Sequence, residues 1–144
     1  MKKSFYAPMA LLAAVVLLAL GSCKLDYPSV PHYTEFILQI DSITHPDTIR
    51  LGSLLPIRFY GTIGQDGCYS FSRFDGNLVG KMINVTAYGK KSDNQVCTQQ
   101  EQYLDGRTLN VIQLDTGMYV IHILQALPPD ITDTVYVKGL SPLK

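Results

Sequence analysis

The chain has 144 residues, with 12 Lys and Arg set against 12 Asp and Glu, 47% hydrophobic residues and no Trp. That length holds one domain of ordinary size with a two-layer core and leaves no room for a second. No run of like charge exceeds two residues, so there is no basic stripe to neutralise phosphates, and nucleic acid is excluded as an expected partner.

In chain order, Lys2 and Lys3 are followed by an apolar stretch from Phe5 to Leu20, interrupted by Pro8. The unbroken part, residues 9–20, falls short of the roughly 20 residues that cross a bilayer, so the pattern predicts a removable helical leader over 1–22. Losing Lys2 and Lys3 leaves 10 basic against 12 acidic side chains, net −2. The leader ends in Leu20-Gly21-Ser22-Cys23. Small Gly21 and Ser22 give a protease access to the backbone, Leu20 suits an apolar pocket, and a thiol can accept a diacylglyceryl group as a thioether. The stretch resembles the lipobox of bacterial prolipoproteins. That resemblance implies cleavage before Cys23, acylation there and durable attachment to a lipid bilayer, since each buried methylene adds about 0.8 kcal/mol.

Lys24, where an Asp would imply retention at the inner membrane, implies the outer membrane. Lys24-Leu25-Asp26 resembles the surface-export signal of Bacteroidetes-type lipoproteins, with Leu25 departing from it. Pro28 and Pro31 without any periodic pattern predict a stiff tether over 23–33. Ten extended residues reach about 30 Å.

From residue 34 to 144, alternation dominates. Strands are predicted near Thr34–Ile40, Leu55–Ile63, Cys68–Phe74, Lys81–Tyr88, Gln95–Tyr103, Thr108–Leu114, Met118–Leu124 and Thr132–Lys138, with a short helix competing over 94–103. Turn signals separate them, among them Gly64-Gln65-Asp66-Gly67, Asp75-Gly76-Asn77, Asp105-Gly106 and Pro128-Pro129-Asp130. Seven to eight short strands so spaced predict an all-β antiparallel sandwich. Leu114-Asp115-Thr116-Gly117-Met118-Tyr119 resembles a tyrosine corner, which implies an immunoglobulin-like arrangement with Tyr119 as the corner residue. Ile121 stands where antibody domains carry a cysteine, so only the broader architecture is implied.

With Cys23 lipidated, Cys68 and Cys97 remain, and an even pair in an oxidising compartment predicts a disulfide. Neither belongs to a C-x-x-C or has a neighbouring histidine, so no redox pair or metal site is expected. His32 falls in the tether, His45 before Pro46, and His122 in a strand, facing opposite to Tyr119, Ile121 and Ile123; none has metal-ligand spacing. There is no G-x-S-x-G elbow and no motif-placed carboxylate pair, so catalytic residues, cofactors and an enzymatic role are not expected. Phe59, Tyr60, Tyr69, Phe71, Phe74, Tyr88 and Tyr103 exceed what one buried face requires, leaving some for cross-strand pairs or, together with Arg73, a surface patch.

Asn84-Val85-Thr86 fits an N-glycosylation sequon that is taken as accidental in a bacterial lipoprotein. Asp41-Ser42-Ile43, Asp47-Thr48-Ile49 and Asp133-Thr134-Val135 resemble the O-glycosylation motif of Bacteroidetes-type exported proteins, which would modify Ser42, Thr48 and Thr134. As a whole, the chain resembles small outer-membrane lipoproteins of that type with a single immunoglobulin-like domain. The resemblance implies a non-enzymatic interaction or structural module in the cell envelope, with a protein or envelope glycan as partner. The alternatives are a carbohydrate-binding accessory and an inhibitor of a secreted hydrolase. An exposed aromatic row would favour carbohydrate, a rigid protruding loop at 64–67 or 90–94 inhibition, and a flat apolar edge assembly.

Overall fold

Strict alternation builds the central strand of the fold. In Met82–Ser92, Ile83, Val85 and Ala87 are buried while Asn84, Thr86 and Tyr88 take the opposite face, the two-residue period of a strand with one face on a core. The structure, a computed structural model, describes residues 32–93 and 96–140. The described residues belong to one compact unit.

Among the described residues it has eleven strands: β1 (Tyr33–Ile37), β2 (Ser42–Thr44), β3 (Thr48–Arg50), β4 (Leu55–Tyr60), β5 (Thr62–Gly64), β6 (Tyr69–Val79), β7 (Met82–Ser92), β8 (Gln102–Tyr103), β9 (Arg107–Val111), β10 (Gly117–Leu124) and β11 (Ile131–Lys138). β6 runs antiparallel along one side of β7. The other side of β7 is divided, with β1 antiparallel at Tyr88–Ser92 and β10 parallel at Met82–Thr86. β10 pairs antiparallel with β11, and β11 pairs parallel with β3, completing a six-stranded sheet. The second sheet is β2-β4-β9, and β5-β8 form a two-stranded pair.

A single core cluster joins Leu55, Ile57 and Phe59 of β4 to the inward residues of β7, to Tyr119, Ile121 and Ile123 of β10, and to Val135 and Val137 of β11. Phe59 meets Phe74 of β6 at a ring-centroid distance of 4.5 Å. The fold is all-β and rich in antiparallel pairs, as the alternation predicts, and no helix occurs among the described residues.

Several elements differ from expectation. Asp75-Gly76-Asn77 is not a turn but the middle of β6, because the β6–β7 hairpin closes further on, at Gly80 (φ +62°) and Lys81. Such two-residue connections favour left-handed backbone and hence glycine. Among the described residues of the predicted Gln95–Tyr103 strand, Gln102–Tyr103 is a strand, paired with β5. Short strands β2 and β3 were not expected, and the parallel pairs β7–β10 and β3–β11 depart from a purely antiparallel sandwich. β1 begins at Tyr33, inside the predicted tether. The leader, the tether up to residue 31, and Leu20, Gly21, Ser22 and Cys23 lie outside the described residues.

A register shift between Phe71 and Arg73 makes Ser72 the extra residue of a β-bulge. Without it alternation would place Phe71 and Phe74 on opposite faces. With it both pack against the core, 4.7 Å apart between ring centroids, while Arg73 turns outward opposite Tyr88.

Candidate functional site

Two surfaces of the six-stranded sheet bring together side chains that the sequence holds far apart. On its outer face, the register aligns Asn77 of β6, Asn84 of β7 and His122 of β10 in one lateral row. Asn84 Nδ2 donates to Asn77 Oδ1 at 3.0 Å, Asn84 Oδ1 lies 3.1 Å from His122 Nδ1, and His122 Nε2 lies 3.0 Å from Asp130 Oδ2. Beside this ladder is a shallow concavity of about 190 Å³ lined by Asp75, Gly76, Asn77, Asn84, Thr86 and Leu124.

A neighbouring row is charged. The Arg73 guanidinium stacks 4.3 Å over the Tyr88 ring and donates to the Glu35 carboxylate of β1, which also accepts from the Ser72 hydroxyl. Arg73 first, and Ser72 after it, hold the Glu35 carboxyl below its ordinary pKa, and Glu35 in turn raises Arg73. At the end of β7, His32 and then Thr34 lower Asp93 in the same way.

The second surface is the open side of the sandwich. There β6 and β9 leave a cleft of about 370 Å³ lined by Phe74, Gly76, Leu78, Val85, Leu109 and Val111. Gly76 faces inward at its middle, opposite Val85. Exposed apolar side chains continue the cleft to the surface, with Leu78 at 46%, Val79 at 63% and Ile112 at 56% exposure. Among the described residues β6 pairs with β7 and leaves its other backbone edge without a strand.

The aromatic residues go mainly inward. Phe59 is fully buried, Tyr69, Phe71 and Phe74 pack against the core, and Tyr88 is capped by Arg73, whereas Tyr103 is exposed. Gly64 ends β5 against the Tyr69 ring, residues 65–68 make the turn into β6, and Lys90–Ser92 belong to β7.

Cys68 and Cys97 form a disulfide with Cα atoms 5.1 Å apart, closing 29 residues of chain. Asp66 lies beside it and accepts from the Cys68 N–H. These three are the one group among the described residues with metal-ligand proximity, and its two sulfurs are joined to each other. Each histidine stands beside its own aspartate: His32 by Asp93 at 3.3 Å, His45 by Asp133 at 3.1 Å and His122 by Asp130.

Tyr119 is buried, and its hydroxyl accepts from the Asp115 N–H at 2.9 Å and from Lys81 Nζ at 2.9 Å. Ser42, Thr48 and Thr134 are exposed on β2, β3 and β11. Sequence reasoning singled out none of Glu35, Gln39 and Gln125. The Gln125 amide accepts from the Ile40 N–H at 2.6 Å and donates to the Ile40 carbonyl at 3.0 Å. Gln39 bonds the backbone of Leu127 in the same two-way manner. Polar side chains that replace a strand follow no periodic pattern.

Comparison with protein-family models, curated proteins and solved structures returns no match for this chain.

Proposed function

We propose that this chain is an exported bacterial lipoprotein, held on the outer membrane through acylated Cys23 and presenting its β-domain as a non-enzymatic interaction module. The observation that carries this reading is Leu20-Gly21-Ser22-Cys23 closing a basic-then-apolar leader. The paired Cys68 and Cys97 support it, because disulfides persist in the oxidising compartments that such a leader serves. Of the surfaces that distinguish the kinds of partner, the described residues present an apolar cleft beside the β6 edge with Leu78, Val79 and Ile112 exposed around it, which supports assembly with another protein. Expression in a Gram-negative host followed by mass spectrometry of the mature N-terminus is the test. A diacylated or triacylated Cys23 is expected, and a chain that begins at Met1 or carries a free Cys23 refutes the anchor.

A further inference from the structure

We infer that the partner of the β6 edge is a second copy of this chain, added antiparallel to β6 so that Gly76 lies opposite the partner's Gly76. This names a partner within the interaction reading above and rests on it. Edge strands of natural sheets are blunted by shortness, charged side chains, lysine above all, prolines or bulges. Beyond the bulge at Ser72, Arg73–Val79 runs in unbroken register with β7 for seven residues without Lys or Pro, and of its two charged side chains Arg73 is held by Glu35 while Asp75 stands on the outer face.

Self-pairing of that run about Gly76 is complementary on both faces. On the inner face Phe74 comes opposite the partner's Leu78, so each copy's Leu78 covers the space that Gly76 leaves open over Val85 and Leu109 in the other. On the outer face Asp75 comes opposite the partner's Asn77. The Asn77 Oδ1 is already taken by Asn84, and its Nδ2 makes no bond among the described residues, so it faces a carboxylate acceptor. The ladder from Asp130 through His122, Asn84 and Asn77 thereby continues onto the other copy. A two-fold axis requires this self-complementarity, in which Asp75 meets the partner's Asn77 and Asn77 meets the partner's Asp75. At the axis, two glycines leave the inner face open for the two Leu78 side chains.

Directly opposed residues of an antiparallel pair have Cα atoms about 4.5–5.5 Å apart, inside the roughly 4.4–6.8 Å that a disulfide spans, so Gly76→Cys should cross-link across the axis. A Cβ at Gly76 meets the Asn84 carbonyl at 3.5 Å and Val85 Cγ2 at 3.9 Å, both ordinary contacts, so the variant should fold. Full-length chain carrying Gly76→Cys, expressed in a bacterial envelope and run without reductant, should appear mostly as covalent dimer, while Thr132→Cys on the exposed face of β11 should not. Adding Leu78→Lys should reduce the Gly76→Cys dimer at least tenfold. Chains carrying Asp75→Cys and Asn77→Cys, expressed together, should cross-link to each other in preference to themselves. A monomeric Gly76→Cys chain with a wild-type urea midpoint overturns the pairing, as does a dimer insensitive to Leu78→Lys. The state of Cys23, read from the same preparation by mass, reports on the anchor separately.

Discussion

Ile40 is 2% exposed, and its backbone N–H and C=O are both satisfied by the side-chain amide of Gln125. Gln125 follows the end of β10, and Ile40 lies between β1 and β2, so this one amide stands in for the rung of a missing strand. Gln125→Ala removes both bonds and leaves two buried backbone groups unpaired. An orphaned group costs about 1–3 kcal/mol, and water entering the truncated site recovers part of that, which gives an expected loss of about 2–4 kcal/mol. Gln125→Glu separates the two bonds. It keeps an acceptor for the Ile40 N–H but sets a carboxylate against the Ile40 carbonyl, so it should be no better than alanine near neutral pH. Urea unfolding with the slope held fixed measures both losses. Native-state amide exchange at Ile40 should accelerate in both variants. A Gln125→Ala chain within 0.5 kcal/mol of wild type, with Ile40 still protected, refutes the claim that this amide carries the rung.

Tyr119→Phe should cost about 1–3 kcal/mol, because the hydroxyl bonds to Asp115 and Lys81 are lost while the ring stays in place; a double-mutant cycle with Lys81→Met should show coupling above 0.5 kcal/mol. Replacing both Cys68 and Cys97 by Ala frees a loop of 29 residues and should lower stability by roughly 3–4 kcal/mol on the chain-entropy model, read as a fall in the urea midpoint. Glu35 and Asp93 both have pKa values depressed by folding, so their contribution is complete above the ordinary values of 4.5 and 3.8 and fades as pH falls through the lower folded values. Below about pH 4, amide exchange in β1 should therefore rise before that of β10, and Glu35→Gln should lessen the difference. Gly64→Ala should be destabilised by about 1–3 kcal/mol, since the added methyl would meet the Tyr69 ring at 2.0 Å; a wild-type thermal midpoint would show that the ring moves freely aside.

How much of this was readable in advance depended on whether a residue's role repeats along the chain. β4, β10 and β11 were legible because burial imposes a two-residue period on Leu55–Phe59, Tyr119–Ile123 and Val135–Val137. The disulfide was legible because two cysteines remain once Cys23 is assigned to lipid. The parallel pairing of β10 with β7 was not, since strand direction is set by the path of the connections and leaves alternation unchanged. Asp75-Gly76-Asn77 misled because its composition is that of a turn, whereas Asp75 and Asn77 form the solvent face of a strand and Gly76 opens the cleft beneath it. The Ser72 bulge was hidden for a related reason: one inserted residue exchanges the faces of everything after it, so a single alternating pattern cannot fit both Phe71 and Phe74. The polar ladder joins residues 77, 84, 122 and 130, an adjacency that exists only once β6, β7 and β10 are in register.

The division of β7 between β1 and β10 also decides how the domain bears a pull at its N-terminal end. Force entering at His32 meets the Asp93 clip and then β1, which is bonded to the central strand and not to a peripheral one. Tension directed along β1 strains its five residue pairs with β7 together, in shear, instead of peeling them singly. Rupture under such loading is governed by the unfolding rate and not by the equilibrium stability. A domain gripped at residue 32 would thus hold or fail according to how quickly β7 releases β1.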